Sequence, residues 1–245
     1  MPFGTSGIKP PERRAILIFS PEMKVSSPQQ PKTIVIAIDG PAGAGKSTIA
    51  RSLARRLGFT YMDTGAMYRA VALWALRAGI DLDDMHRLEQ LALAADIQFD
   101  GDRVALNGED VTAAIREPEV SDAASKASIV PGVRRAMREQ QRVIGASKSV
   151  VMEGRDIGTV VFPEAQVKIF LDADQETRAE RRARETGAEV DRVAREIAER
   201  DQRDRSRTEA PLTQAPDAEY VDSSRLSAEE VEEAILRIIR RRTSN

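Results

Sequence analysis

The stretch Gly40-Pro-Ala-Gly-Ala-Gly-Lys-Ser-Thr48 decides how this chain folds. It follows Thr33-Ile-Val-Ile-Ala-Ile38, a continuous apolar run rich in β-branched residues, as in a parallel strand buried on both faces. It precedes a segment in which Ile49, Leu53 and Leu57 recur every four residues and Gly58 offers a left-handed close to a helix. Strand, glycine loop and helix, in that order, are the context in which G-x-x-x-x-G-K-[ST] holds phosphate. The glycines let backbone N–H groups turn towards an anion, and the helix start adds its dipole. Lys46 can then reach the β and γ phosphates, and the Ser47 hydroxyl can ligate Mg²⁺. Gly40, Pro41, Ala42, Gly43, Ala44, Gly45 and Thr48 complete the cradle. The plainer alternative is a tight turn with an incidental lysine, and the matched flanks weigh against it.

Composition narrows the rest. The 245 residues, 41% of them apolar, suffice for one domain with small subdomains. Lysine plus arginine number 37 against 39 acids, so no global field draws in nucleic acid or membrane, and any basic site is local. Cysteine is absent, which excludes disulfides, thiolate metal sites and a cysteine nucleophile, and a single histidine leaves little room for histidine chemistry. No apolar run approaches the roughly 18 residues of a membrane span. A cytoplasmic protein is expected.

Residues 1–32 are rich in proline, with no sustained period, and read as a flexible tail; Met23 is an equally plain initiator. Beyond the first helix the strand and helix alternation returns at VVME (150–153), VKIFLD (167–172) and EYVD (219–222), and Ser227 with Glu230 forms a capping box before a last helix. The middle breaks this rhythm: residues 97–111 alternate around Asp100-Gly101 as an antiparallel hairpin, flanked by helical segments near 84–95 and 132–147. An inserted subdomain is therefore expected between the second strand and the strand at 150.

Arginines supply a second clue. In DTGAMYR (63–69), Thr64 and Gly65 are expected to cap a helix and Arg69 to face the same mouth as the glycine loop; a plain surface arginine is the alternative. Arg155 and Asp156 follow a strand, where ligands bind in open α/β sheets, or form a structural salt bridge in a turn. In residues 176–207, Arg178, Arg181 and Arg182 share one helical face, Gly187 breaks the run, and Arg200, Asp204 and Arg207 stack at i, i+4 and i+7. By composition this is a solvated helical hairpin; by spacing it resembles a lid that closes arginines over a transferred phosphoryl group. A donor on the glycine loop and a second anion on arginines suit phosphoryl transfer, which needs alignment and neutralisation more than covalent chemistry.

IDGPAGAGKST, DTGAMYR, SDAASKAS, EGRDIGTVVFPEAQVKIFLDA and ERDQRDRSR, in that order, resemble the signatures of the bacterial cytidylate kinases over residues 33–240. The resemblance implies a three-layer α/β/α fold of the P-loop NTPase type with a central parallel sheet, a small antiparallel β and helical insert that binds the nucleoside monophosphate, and a short helical lid. It places the core at 33–63, 148–175 and 208–240, the monophosphate region at 64–147 and the lid with its flanking helices at 176–207. It implies transfer of the ATP γ-phosphoryl group to CMP or dCMP, with Mg²⁺; beside it, a monomer that binds neither nucleic acid nor membrane is expected. Thr64, Tyr68 and Arg69 would belong to the monophosphate pocket, and Ser125, Arg134, Arg155 and Asp156 would meet base and sugar. Arg200, Asp204 and Arg207 would serve acceptor phosphate and sugar. Lys46, Arg155, Arg181, Arg182 and Arg200 would neutralise the transferring phosphoryl group.

The chain departs from its relatives' pattern in places. Lys-Ser-Thr stands where Lys-Gly-Thr is common, so Ser47 or Thr48 faces the metal. Thr64 replaces a serine, and Glu153 stands where aspartate is frequent. Two other readings stay open on the residues alone: a kinase for another small acceptor (UMP, AMP or shikimate), and a nucleotide-dependent switch without acceptor turnover. Nucleic-acid binding through 176–207 is weakened by the interleaved acids.

Overall fold

A computed structural model describes residues 33–244, so the tail expected at 1–32 lies outside the described residues. The first strand, β1 (Val35–Asp39), runs into the glycine loop and helix α1 (Lys46–Leu57), and β2 (Thr60–Asp63) leads directly into α2 (Thr64–Arg77). The insert follows as α3 (Met85–Ala94), strands β3 (Ile97–Asp100), β4 (Arg103–Leu106) and β5 (Glu109–Asp110), then α4 (Pro118–Ala127) and α5 (Pro131–Ser147). The chain returns through β6 (Val150–Gly154), β7 (Val167–Asp172), the helical pair α6 (Gln175–Thr186) and α7 (Val190–Ser206), β8 (Glu219–Asp222) and α8 (Ala228–Thr243).

The main sheet is wholly parallel, in the order β2-β6-β1-β7-β8. Alternation along each strand divides the core. Val35 and Ala37 of β1, with Val150 and Met152 of β6, pack towards α2, α4 and α5. Ile36, Ile38 and Val151 pack with Ile169 and Leu171 of β7 against α1 and α8. Both faces are covered, which is why these strands are apolar throughout rather than at alternate positions. The order of strands reverses at β1, and the glycine loop and the β6 turn leave its neighbourhood from the carboxyl ends of the strands, where open α/β sheets form their crevice.

The hairpin expected in the insert is present, with Ile97 opposite Leu106 and Asp100 opposite Arg103. Its third strand, β5, consists of two exposed acids that carry no alternation to announce it. Helix α4 was hidden by its small residues; Ala123, Ala124 and Ala127 pack closely in the core with α2. Ser227 and Glu230 form the full capping box at 3.2 and 2.8 Å. Two local expectations change. Asp63, not Thr64 or Gly65, caps α2, because its carboxylate accepts from the Ala66 N–H at 3.1 Å and leaves Thr64 as the first helical residue. Arg207 lies just past α7, where the backbone has already become extended. No helix among the described residues is long and apolar enough to cross a membrane.

Candidate functional site

The glycine loop is held by close backbone approaches. Gly40 has φ +151°, and a Cβ there would fall 1.9 Å from the Leu171 carbonyl oxygen on β7. Gly45, also left-handed, starts α1. Lys46 folds back into the loop, 6% exposed, with Nζ donating to the Pro41 carbonyl at 2.6 Å. Burial, helped by the Arg155 charge, holds its ammonium well below the usual lysine range.

The two hydroxyls that end the motif diverge. Ser47 Oγ donates to Glu153 Oε2 at 3.0 Å, and Tyr61 donates to the other oxygen, Oε1, at 2.6 Å. Burial, with the Asp63 charge beside it, pushes the Glu153 carboxyl up. Thr48 instead lines a cavity of about 460 Å³ with Gly43, Gly45, Arg181, Leu226 and Val231.

Five cations from five elements meet at the mouth: Lys46, Arg69 from α2, Arg155 after β6, Arg182 from α6 and Arg200 from α7. Arg200 makes no hydrogen bond or ion pair among the described residues. Burial and the Arg155 charge, with Arg69 and Arg182 adding to them, pull its guanidinium down to about 10. Arg69 holds Asp63 at 2.7 Å and Arg155 holds Asp204 at 2.9 Å. Burial would raise both carboxyls, yet these arginines keep them below the ordinary range.

Deeper, towards the insert, Arg134 is sandwiched by partners. It donates to Asp156 Oδ2 at 2.6 Å and to the Ser128 carbonyl at 3.2 Å, and its guanidinium lies 5.6 Å over the Tyr68 ring. This buried ion pair leaves Asp156 Oδ1 without a donor among the described residues. Among the described residues five buried polar side-chain atoms find no hydrogen-bond partner, and three of them belong to Arg69, Ser125 and Arg207. Such groups are costly in a protein interior when left without a partner.

The structure thus brings Lys46, Arg69, Arg155, Arg182 and Arg200 to one mouth, with Tyr68, Arg134, Asp156, Asp204, Arg207 and Ser125 behind them. Two residues stand elsewhere. The Thr64 hydroxyl is spent on the Glu153 carbonyl at 2.7 Å. Arg181 turns away from Arg182 and grips Ser223, at 2.9 Å to Oγ and 2.7 Å to the carbonyl oxygen, and Ser223 Oγ in turn reaches the Ala44 carbonyl at 3.3 Å. Sequence reasoning missed Tyr61, Ser223, Asp201 and Asp39. Asp39 ends β1 and accepts from the Ile157 and Gly158 N–H groups at 2.8 and 2.7 Å, locking the turn that presents Arg155 and Asp156. The position of Asp39 and Ser223 at carboxyl ends of strands was the available signal.

Residues 36–241 match the cytidylate kinase family. The chain is similar to a cytidylate kinase of Solibacter usitatus, 63% identical over 87% of this chain and 95% of that protein. It is also similar to cytidylate kinases of Caldanaerobacter subterraneus, 50% identical over 86% and 96% of the two chains, and of Pelotomaculum thermopropionicum, 52% identical over 82% and 93%. With its parallel sheet and its glycine loop in order, this chain belongs to the cytidylate kinase family.

Proposed function

We propose that the site transfers the γ-phosphoryl group of ATP to CMP or dCMP, in a single chain acting as a cytoplasmic monomer. The observation that carries this reading is the convergence of five cations from five elements, with the Arg200 side chain left unpaired among the described residues, between a glycine loop and the buried Arg134–Asp156 pair. A site so rich in positive charge suits two anions brought face to face.

In this reading the glycine loop from Gly40 to Thr48 holds the donor phosphates, and the cavity beside Thr48 and Arg181 takes the donor nucleoside. Residues 64–147 form the acceptor region and 176–207 the lid. Arg69, Arg200 and Arg207 bind the acceptor phosphate and Asp204 the sugar, while Tyr68, Ser125, Arg134 and Asp156 meet the base. Arg134 holds Asp156 in place at 2.6 Å, and the open Oδ1 accepts from the exocyclic amine of cytosine. An acceptor phosphate oxygen bonds to the γ-phosphorus as its bond to the ADP oxygen breaks. Lys46, Arg155, Arg182 and Arg200 neutralise the charge on the phosphoryl group in flight, and Arg181 works from the donor side through Ser223.

Mg²⁺ fits this donor set, because the Ser47 hydroxyl and the Glu153 carboxylate are hard oxygens already held together, and this pairing favours Ser47 over Thr48. Bound there, the ion would neutralise charge on the donor phosphates. The acids interleaved among the arginines of 176–207 argue against nucleic acid as a partner.

The direct test is ADP production from ATP and Mg²⁺ with CMP, dCMP, UMP, AMP or no acceptor. Release that depends on CMP or dCMP and is weaker with UMP is expected. Release indifferent to acceptor would contradict the reading and favour a nucleotide switch.

A further inference from the structure

One buried ion pair joins the α6–α7 hairpin to the glycine loop and takes no part in the roles above. Arg178 on α6 and Asp201 on α7 are 8% and 7% exposed. Arg178 Nη1 donates to Asp201 Oδ2 and, at 3.0 Å, to the Ala42 carbonyl, while its Nε donates to the Ala173 carbonyl at 3.1 Å. Asp201 Oδ1 accepts from the Ala42 N–H at 3.2 Å. Ala42 is therefore gripped at both its backbone N–H and its C=O, by one residue from each arm of the hairpin. Its side chain also rests on the hairpin's small core of Ala183, Val193 and Ile197. Gly43, at φ +77°, lies so close that a Cβ would sit 2.8 Å from the Arg178 carbonyl oxygen and 3.0 Å from its Cβ.

We propose that Arg178 and Asp201 are positioning residues that set the glycine loop for the donor phosphates. Their charges are spent on each other and on Ala42, so neither is available to a ligand; what they fix is the direction of the loop's peptide groups. A loop that binds phosphate through N–H groups depends on that direction. Because the grip comes from both arms, the posture of the hairpin and the affinity for donor are linked, and linkage of this kind is reciprocal. The inference rests on the placing of ATP in the glycine loop.

The test uses the full chain with Asp201→Asn, which keeps an acceptor for Ala42 but loses the charge, and Arg178→Lys, which keeps the charge but loses the fork. Calorimetric titration gives Kd for ATP and for CMP separately, with Tm measured alongside. The expected result is an ATP Kd raised roughly tenfold in each variant with the CMP Kd within about twofold, and a double variant little worse than the poorer single one. Unchanged ATP affinity would overturn the proposal. So would parallel weakening of ATP and CMP in step with a fall in Tm, or a variant too unstable to titrate, since each marks a merely structural pair. Lys46→Ala in the same titration separates the two readings. If it too leaves ATP affinity intact, the donor placement fails and the brace with it; if it weakens ATP while Asp201→Asn does not, only the brace fails.

Discussion

The glycine loop and the cluster under the insert are built by opposite means. The loop offers backbone held in place by contacts no side chain could share, as at Gly40 against Leu171. The pocket offers charged side chains already paired with one another: Arg134 with Asp156, Arg155 with Asp204 and Arg69 with Asp63. Phosphate is the same in every triphosphate, so a rigid cradle of N–H groups suffices for the donor. An acceptor base differs from its rivals by one or two polar atoms, and only prearranged side chains can discriminate at that scale. Arg200 stands between the two regions and belongs to neither kind, a cation whose side chain has no partner among the described residues.

The contrast breaks most severely at the loop. Gly40→Ala would drive a methyl group into the Leu171 carbonyl. Stability should fall by about 3 kcal/mol or more, with the loss visible in denaturant titration. Retained stability would mean that the β7 backbone yields and the cradle is not rigid.

Arg200→Met should separate function from stability. Removing a desolvated cation repelled by Arg155 should raise stability by about 1 kcal/mol. Turnover should nevertheless fall roughly 100-fold, as expected for a group that meets charge only when both ligands are bound. A variant that is both slower and less stable would show that Arg200 has a protein partner in solution.

Asp39 is the joint between the two regions, and its contribution depends on pH. Burial raises its carboxyl from 3.8 to about 6, against the pull of the Ile157 and Gly158 N–H groups. Between those values the folded chain binds a proton that the unfolded chain has released, so the stability gained from this group is complete below 3.8 and lost as pH rises through 6. Relative to Asp39→Asn, the wild-type protein should lose up to about 3 kcal/mol between pH 4 and pH 7. A difference between the two that is flat with pH would contradict the buried, raised carboxyl.

Most of the fold was legible in the sequence because its signals are local. The apolar run ending at Asp39, the glycine loop, the 3.6-residue period of α1 and the alternation of β3 and β4 each fit within a dozen residues. What escaped depends on distance. Arg178, Arg181 and Arg182 share a helical face by spacing, yet one braces Ala42, one holds Ser223 and one joins the cationic mouth. Side-chain length and partners from other elements sort them, and neither is written in the local pattern. Thr64 shows the same limit: its hydroxyl was expected to face a ligand, and the adjacent β6 strand places the Glu153 carbonyl within its reach first.

The division of labour between backbone cradle and paired pocket is tested most directly by steady-state kinetics of Asp156→Ala against CMP, UMP and ATP. The ratio of kcat/KM for CMP over UMP should fall by roughly tenfold or more, while KM for ATP stays within about twofold of wild type. An unchanged CMP-to-UMP ratio, or an equal loss for donor and acceptor, would contradict the assignment of base recognition to the buried Arg134–Asp156 pair.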